Sequence, residues 1–443
     1  MKAASIRAVV SFSARLLVCA LSLTTFLSRA GALEDYVDKP DASFNWKRTE
    51  HKDFPGLTVV HLEMVSQTWQ GQFWSHHIQI IKPTTIRHPD IALLFVTGDG
   101  EGTKDLERLN VVAQRAGAIV AVITKVPNQP LYDGKKEDSL IAYTFGKFMK
   151  TGDATWPLLF PMVKSAVRGM DTIQAFAKQE FKQEVTKFVI SGASKRGWTT
   201  WLTGAADKRV VAIAPIVIDM LNMKTQLAWT AKMYGKQSEQ IQDYTEMNFD
   251  KLQDDPQMIK LRGWVDPYSY RNRYTMPKLI LIGTNDPYWV VDSLRHYWGD
   301  LPEQKLVYQT PNAGHDLGGG KDAILTMAAW FQMIADGEKL PKLDWKLSDG
   351  TASPAGIEVK LDRAAHKFRV WTAESEDRDF RNDKWTSREI ESKNGGLEAS
   401  VLIEKPATGF RATMIEAEVE SAHGEVYKLS TQVQVVPDNV GVK

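Results

Sequence analysis

Three polar residues of this chain have the types that together could cleave an ester or amide bond. Ser194, Asp286 and His315 each come shortly after an apolar run of the kind that forms a buried strand. A serine hydroxyl is a poor nucleophile until an imidazole accepts its proton. The imidazole in turn needs a carboxylate that fixes its tautomer and stabilises its positive charge. The three residues therefore predict a nucleophilic serine with its base and its acid.

Ser194 lies at the centre of a pattern that predicts a strand, a sharp turn and a helix. The apolar run 188–190 leads into small residues that include Gly192, and a helix-compatible segment follows the serine. Small neighbours are needed because the turn brings the two elements close together. The usual Gly-x-Ser-x-Gly pattern would place glycine at position 196, whereas this chain has Arg196 and then Gly197. The stretch predicts a nucleophile elbow; the alternative is a turn in which the serine only caps the helix.

The order serine, acid, histidine along the chain is the one that α/β-hydrolases use. Each partner of the serine also has a simpler interpretation. Asp286 precedes a proline, so its role could be limited to forming a turn. His315 could be an ordinary loop residue. Asp292 and Asp316 are alternative acids. We favour Asp286 because Asp316 adjoins the histidine in sequence, which makes their pairing awkward, and because Asp292 has a more helical context.

A glycine-rich loop, residues 97–102, follows the apolar strand predicted at 91–96. The loop lacks the Lys-Ser/Thr ending of a phosphate-binding P-loop. In a hydrolase sheet, the loop at this position supplies a backbone N–H to the oxyanion hole. We therefore predict an oxyanion hole formed by the N–H of Lys195 and a residue of this loop, with Gly98 and Gly100 as the candidates.

The side chain of Lys195 has two interpretations. A cation directly after the nucleophile could stabilise the developing oxyanion or bind an acidic group of the substrate. It could equally be a solvated lysine at the start of a helix.

The apolar runs and helical periodicities alternate over most of the chain. This alternation predicts an α/β-hydrolase domain over residues 33–341, with a doubly wound, mostly parallel sheet. Residues 127–162 are interpreted as loop-rich, and residues 220–276 as a helical lid inserted over the pocket. Beyond Pro341 the apolar residues alternate with period two. This change predicts a separate C-terminal β-sandwich over residues 342–443.

Composition limits the classes of partner. The chain has 443 residues, 43% of them hydrophobic and 25% charged, with a net charge of +1. This balance provides no electrostatic basis for binding nucleic acid, so we expect a small-molecule or peptide substrate. The only cysteine, Cys19, lies near the N-terminus, which argues against thiol catalysis and cysteine-ligated metal. We expect neither a metal nor an organic cofactor; the oligomeric state is left open.

The chain contains the blocks Val126-Pro127-Asn128-Gln129-Pro130-Leu131, Glu137-Asp138-Ser139-Leu140-Ile141-Ala142, Trp156-Pro157-Leu158, Pro161-Met162-Val163-Lys164-Ser165-Ala166, Gly192-Ala193-Ser194-Lys195-Arg196-Gly197-Trp198 and Val265-Asp266-Pro267-Tyr268. These blocks resemble the PhoPQ-activated pathogenicity-related proteins, a family of exported α/β-hydrolase-like proteins. The resemblance spans roughly residues 35 to 436 and implies the same fold and export. It does not imply a substrate, because the family is named for its regulation.

Residues 1–32 have the three parts of an export signal. Lys2, Arg7 and Arg15 form the positive region, residues 16–27 form an apolar stretch, and an Ala-x-Ala site ends at Ala32. The apolar stretch is shorter than the roughly 20 residues that a transmembrane helix needs. We therefore expect a periplasmic or secreted protein with no stable membrane anchor after cleavage.

The mature protein is expected to begin at Leu33, because cleavage follows the Ala-x-Ala site. N-terminal sequencing of the protein recovered from the exported fraction checks this. Recovery of a mature form that still begins with Met1 would contradict it.

Overall fold

The computed structural model describes residues 31–348, 351 and 354–438. Its centre is a sheet that has nine strands in this part of the chain, in the order β1-β2-β3-β5-β4-β6-β7-β8-β9. The strands are β1 (Asn45–Phe54), β2 (Leu57–Trp69), β3 (Gln72–Pro83), β4 (Ile91–Val96), β5 (Ile119–Ile123), β6 (Lys187–Ala193), β7 (Val210–Ile216), β8 (Lys278–Gly283) and β9 (Lys305–Thr310).

The strands from β4 to β9 pair in parallel, whereas β1, β2 and β3 form an antiparallel extension at one edge. Every residue of β4 is buried, as expected for a parallel strand covered on both faces. The chain crosses from β4 to β5 and back across β4 to β6, so the strand that leads to Ser194 lies near the middle of the sheet. This is the α/β-hydrolase fold, as the sequence predicts.

Helices cover both faces of this sheet. One face carries α2 and α9, which pack against each other, and the other carries α1, α4 and α5. An insertion between β7 and β8 adds α6, α7, α8 and a 3₁₀ turn at Pro267–Arg273, and thus forms the predicted helical lid. The helices are α1 (Ala32–Asp38), α2 (Thr103–Ala116), α3 (Glu137–Thr151), α4 (Leu159–Phe176), α5 (Lys195–Ala206), α6 (Met223–Tyr234), α7 (Gln242–Thr245), α8 (Pro256–Val265) and α9 (Lys321–Asp336).

The C-terminal part of the chain is a β-sandwich of two antiparallel sheets that share an apolar core with α9. One sheet has the order β10-β11-β14. The other has the order β13-β12-β15-β16, and β17 also pairs with β15. These strands are β10 (Leu343–Leu347), β11 (Ala355–Leu361), β12 (Ala365–Ser375), β13 (Thr386–Ile390), β14 (Glu398–Ile403), β15 (Phe410–Glu420), β16 (Val426–Ser430) and β17 (Gln434–Val436).

The interpretation of residues 127–162 as loop-rich is wrong. This segment contains all of α3 and the first turn of α4. Its prolines had suggested loops, but they lie before α3, between the helices, or in the first turn of α4, where the missing N–H costs no hydrogen bond. Gly152 then ends α3 with a left-handed backbone conformation, φ 71°.

The predicted signal segment lies largely outside the described residues. The described part begins with α1, in which Leu33 and Val37 are buried in the main core. None of the helices in the described part of the chain has both the length and the hydropathy that crossing a bilayer requires.

Two glycines let α5 approach β6 and β7 closely enough to form the turn at Ser194. A Cβ atom added to Gly192 would lie 2.8 Å from the carbonyl oxygens of Val96 and Arg196. One added to Gly197 would lie 2.8 Å from the oxygen of Ile216 and 3.1 Å from that of Gly192. Gly197 therefore meets the steric demand that the usual pattern assigns to position 196.

Gly197→Ala is expected to destabilise the protein by about 1–3 kcal/mol, because the new methyl group overlaps backbone atoms that cannot move aside easily. Urea unfolding monitored by fluorescence measures this change in free energy. Gly263→Ala is the matched control, since a Cβ at this position in α8 meets nothing within 4 Å. The control should be neutral or slightly stabilising, and equal effects of the two substitutions would contradict the packing explanation.

Candidate active site

Ser194 occupies the turn between β6 and α5 with φ 59° and ψ −123°. A residue other than glycine rarely adopts this backbone conformation, and it persists only where the surrounding structure enforces it. Here the Ser194 N–H donates to the Ile216 carbonyl at 2.9 Å, and the Ser194 carbonyl accepts the first hydrogen bond of α5, from Trp198. The turn is therefore a strained elbow and not a simple helix cap.

The three residues predicted to act together form one hydrogen-bonded chain. His315 Nε2 lies 2.8 Å from Ser194 Oγ, and His315 Nδ1 lies 2.8 Å from Asp286 Oδ2. The second oxygen of Asp286 accepts the Tyr288 N–H at 3.0 Å. With its side chain only 3% exposed, Asp286 can accept a hydrogen bond from Nδ1–H and so leave Nε2 free to take a proton from the serine.

Asp292, one of the alternative acids, has other partners. It accepts hydrogen bonds from Arg378 at 2.8 Å, Trp229 at 2.9 Å and Arg295 at 3.0 Å. Burial raises the pKa of Asp292, but the two arginines more than offset this effect and hold the pKa below its ordinary value. Asp292 thus joins the lid helix α6 to the C-terminal sandwich.

Asp316, the other alternative acid, accepts the backbone N–H of Gly318 at 3.0 Å. Its side chain caps the short 3₁₀ turn at Leu317–Gly319. It therefore stabilises the local turn after His315.

The candidate oxyanion donors lie in different surroundings. Lys195 is the first residue of α5, where the backbone N–H has no acceptor within the helix. Gly98 is buried, and a side chain at that position would overlap the guanidinium of Arg196. Gly100 is exposed, and an added Cβ would meet nothing within 4 Å. Of the two glycines, only Gly98 is placed against the elbow.

Arg196, which departs from the usual elbow pattern, forms a two-pronged ion pair. Both of its terminal nitrogens donate to the Glu137 carboxylate, each at 2.7 Å. Burial would raise the pKa of Glu137, but the hydrogen bonds and the charge of Arg196 lower it to about 2. Arg196 therefore connects the elbow to α3 and covers Gly98 instead of blocking the nucleophile.

Lys195 is neither solvated nor unpaired, because its side chain is only 12% exposed and its Nζ lies 2.7 Å from Asp138 Oδ2. The Asp138 carboxylate also accepts hydrogen bonds from Tyr244 in the lid, at 2.9 Å, and from Tyr288, at 3.4 Å. The Tyr288 ring packs on the His315 ring with 4.4 Å between centroids. Asp138 thereby joins the elbow, the lid and the surroundings of the histidine.

Sequence reasoning did not assign roles to Glu137, Asp138, Tyr244 or Tyr288. The available signals were the two adjacent acids within one of the matching blocks and the tyrosine two residues after Asp286. Neither signal reveals which cation each acid would pair with.

A cavity of about 140 Å³ adjoins Ser194 and Lys195. The lid insertion supplies most of its walls, and the side chains around it are mainly apolar. Its lining includes Phe145, Trp198, Ile218, Met220, Met223, Leu227, Ile241, Phe249, Met258, Leu261 and Trp289.

The C-terminal sandwich supports the loops that carry the acid and the histidine. Asn285, next to the acid, donates its side-chain amide to the carbonyls of Phe380 at 2.9 Å and Asp383 at 2.8 Å. Asn312, before the histidine, exchanges two hydrogen bonds with the backbone of Trp385, at 2.9 and 2.8 Å. The sandwich is therefore part of the framework of the site.

A family model for the PhoPQ-activated pathogenicity-related proteins matches residues 33–381. The chain belongs to this family. Autocrine proliferation repressor protein A of Dictyostelium discoideum is 32% identical to it over 453 residues, a match that covers 92% of this chain and 91% of that protein. The family resemblance noted from the sequence blocks is confirmed.

Solved esterases are more distant from this family member. Acetyl xylan esterase 1 from Thermoanaerobacterium sp. JW/SL YS485 is 17% identical, with a TM-score of 0.48 over 69% of this chain and 92% of that chain. The acetyl xylan esterase from Paenibacillus sp. R4 is 13% identical, with a TM-score of 0.47 over 67% and 90%.

Glu137→Gln is expected to lower the free energy of unfolding at pH 7, because Arg196 loses the charge of its partner. The folded-state pKa of Glu137 lies below its ordinary value of 4.5. Its stabilising contribution is therefore complete above pH 4.5 and is lost as the pH falls toward 2. The variant should lack this part of the pH dependence when urea unfolding is measured across that range.

Glu63→Gln is the control, since Glu63 pairs with Lys47 on the surface at 2.9 Å and such pairs contribute little. If both variants changed the pH dependence equally, the Arg196 pair would have no special role.

Proposed function

We propose that this protein is an exported serine hydrolase of the esterase or peptidase type, with Ser194 as nucleophile. The observation that carries the proposal is the unbroken hydrogen-bond chain from Ser194 Oγ through His315 to the buried Asp286. The strained elbow at Ser194 supports it, because such a turn presents the hydroxyl above the end of the sheet.

In the proposed reaction, His315 Nε2 takes the hydroxyl proton as Ser194 Oγ attacks the substrate carbonyl carbon. The C–O or C–N bond of the substrate then breaks, and the same imidazole gives its proton to the leaving group. Water repeats the sequence on the acyl-serine and releases the acid. Asp286 holds the imidazole in place and stabilises its positive charge in both halves.

The negative oxygen that forms during attack requires hydrogen-bond donors. The N–H groups of Lys195 and Gly98 are the proposed donors, because both belong to segments that meet at the elbow. The Lys195 ammonium adds positive charge nearby, although its pairing with Asp138 reduces the net charge available to a substrate.

The cavity beside Ser194 favours a substrate with an apolar part, because lid and sheet side chains make its walls mainly apolar. Three residues in its lining, Gln226, Gln237 and Asp250, have side-chain oxygens with no hydrogen-bond partner among the described residues. A substrate that carries hydroxyl or amide donors beside an apolar group would suit this lining.

A binding or signalling protein with the same fold and no turnover is the second candidate. The name of the Dictyostelium relative, an autocrine proliferation repressor, favours it. The two candidates differ in one measurable property, which is the reactivity of Ser194.

A fluorophosphonate probe is expected to label the folded protein once, at Ser194, because the neighbouring imidazole activates that hydroxyl. Ser194→Ala and His315→Ala should abolish labelling, and mass spectrometry of the labelled peptide identifies the site. Circular dichroism should show that both variants fold. A folded wild-type protein that neither reacts nor cleaves any member of an ester and amide panel would favour the binding candidate.

The role of the acid is tested by comparing Asp286→Asn with Asp292→Asn. Asp286→Asn should slow labelling strongly, by about 10⁴-fold if it behaves like the equivalent change in a known triad. Asp292→Asn removes the charge that pairs with Arg378 and should mainly lower stability. The opposite pattern would transfer the acid role to Asp292.

The lid could keep the probe out of the cavity, so a negative result needs a control. Leu227→Ala and Ile241→Ala shorten two lid side chains in the cavity wall without touching the hydrogen-bond chain. If Ser194 stays unreactive in this double variant as well, the hydrolase proposal fails.

A further inference from the structure

Four side chains with metal-binding chemistry meet between α9 and the C-terminal sandwich. Asp336, Glu338 and His423 each present a ligand atom within 4.8 Å of those of the other two. His423 Nε2 lies 2.9 Å from Asp336 Oδ2 and 3.5 Å from Glu338 Oε1. His88 Nε2 lies 2.6 Å from the other oxygen of Asp336. None of the four lines the cavity beside Ser194.

The backbone directs the two carboxylates to one place. Asp336 is the last residue of α9, and Gly337 follows it with a left-handed conformation, φ 69°. This turn is closed by hydrogen bonds from the N–H groups of Gly337 and Glu338 to carbonyls of the last helical turn, at 3.2 and 2.9 Å. The C-terminal end of a helix carries partial negative charge, so a cation close to the two carboxylates is favourable there.

The histidines are held by backbone contacts of their own segments. His423 belongs to the turn between β15 and β16, where its N–H donates to Ser421 Oγ at 3.2 Å. The His88 N–H donates to the Gly117 carbonyl at 3.1 Å. Both imidazoles are thus directed at Asp336 from separate parts of the chain.

The sequence alone led us to expect no metal, but from this cluster we propose that Asp336, Glu338 and His423 bind a zinc ion, with His88 orienting Asp336. Zinc takes imidazole nitrogen and carboxylate oxygen ligands in a tetrahedron, and at its usual bond lengths two ligand atoms lie roughly 3.3 Å apart. The separations of 2.9 and 3.5 Å bracket this value. Calcium and magnesium fit less well, because they prefer oxygen ligands alone. His88 is hydrogen-bonded to one oxygen of Asp336 and leaves the other oxygen for the metal. Carboxylates that bind a metal commonly have such a hydrogen-bonded neighbour.

The nearby cationic side chains have partners of their own. Arg115 pairs with Glu425 at 3.5 Å. Arg363 donates to the Lys339 carbonyl at 2.7 Å and lies 3.5 Å from Asp362. These arginines therefore do not neutralise Asp336 or Glu338 directly. The ion would join α9 of the α/β domain to the β15–β16 turn of the sandwich.

The experiment uses the full mature protein, from which metal is first removed with a chelator and dialysis. Calorimetry then follows the titration of this protein with zinc chloride. The metal content is measured after gel filtration. Wild type should retain about one zinc per chain and show a higher melting temperature with zinc than without, because a ligand of the folded state stabilises it. His423→Ala and Glu338→Gln should each weaken binding at least about tenfold and abolish the zinc-dependent shift; outer-sphere changes alone typically cost 10–100-fold.

His423→Cys tests whether His423→Ala loses zinc because a ligand atom is missing or because the substitution disturbs the structure. A thiolate is also a zinc ligand, so His423→Cys should bind zinc more tightly than His423→Ala. His51→Ala is the matched control, since His51 lies 3.3 Å from Asp53 in an exposed pair that belongs to no three-ligand cluster among the described residues. Retention of zinc in His423→Ala, or its loss in His51→Ala, would overturn the proposal.

A folded wild type that binds no zinc, or whose melting temperature is the same with zinc and with chelator, would also overturn it. In that case the cluster is held by hydrogen bonds between the histidines and the carboxylates alone. Metal content and melting temperature do not depend on turnover, so this result is independent of the proposed hydrolysis.

Discussion

The close approach of α5 to β6 and β7 is the constraint on which the candidate site depends. The backbone at Ser194 is strained, and such strain persists only when the surrounding packing holds it. Gly192 and Gly197 permit this packing, because a side chain at either position would overlap backbone atoms. The spacing of these glycines differs by one residue from the usual pattern. The chain meets the same steric requirement from the next position of the helix.

This shift leaves position 196 free for a large side chain, and the chain places an arginine there. Ionic groups near the elbow are then paired on both sides: Arg196 with Glu137, and Lys195 with Asp138. Partly buried charges need such partners, because unpaired charges are costly to remove from water. Both acids begin α3, so this helix holds the elbow and one wall of the cavity in a fixed relation.

The sequence supported the prediction of the fold because its buried parallel strands are continuous apolar runs, as in β4, and because helical segments alternate with them. Ser194, Asp286 and His315 each follow a recognisable strand, and the structure brings their side chains into one hydrogen-bonded chain. The sequence did not reveal α3, because the prolines around that helix resemble loop signals. The pairing of Asp138 with Lys195 was also beyond sequence reasoning, because it depends on contacts between segments far apart in the chain.

The side-chain amides of Asn285 and Asn312 limit how the sequence of the two domains can change during evolution. They bind backbone carbonyls and an N–H of the sandwich, so side chains there can vary while the contact persists. What cannot vary freely is the path of residues 380–385. Deleting the sandwich or replacing it with another module would leave the two loops without this support. A recombination at residue 341 would therefore separate Asn285 and Asn312 from the backbone segment that they bind.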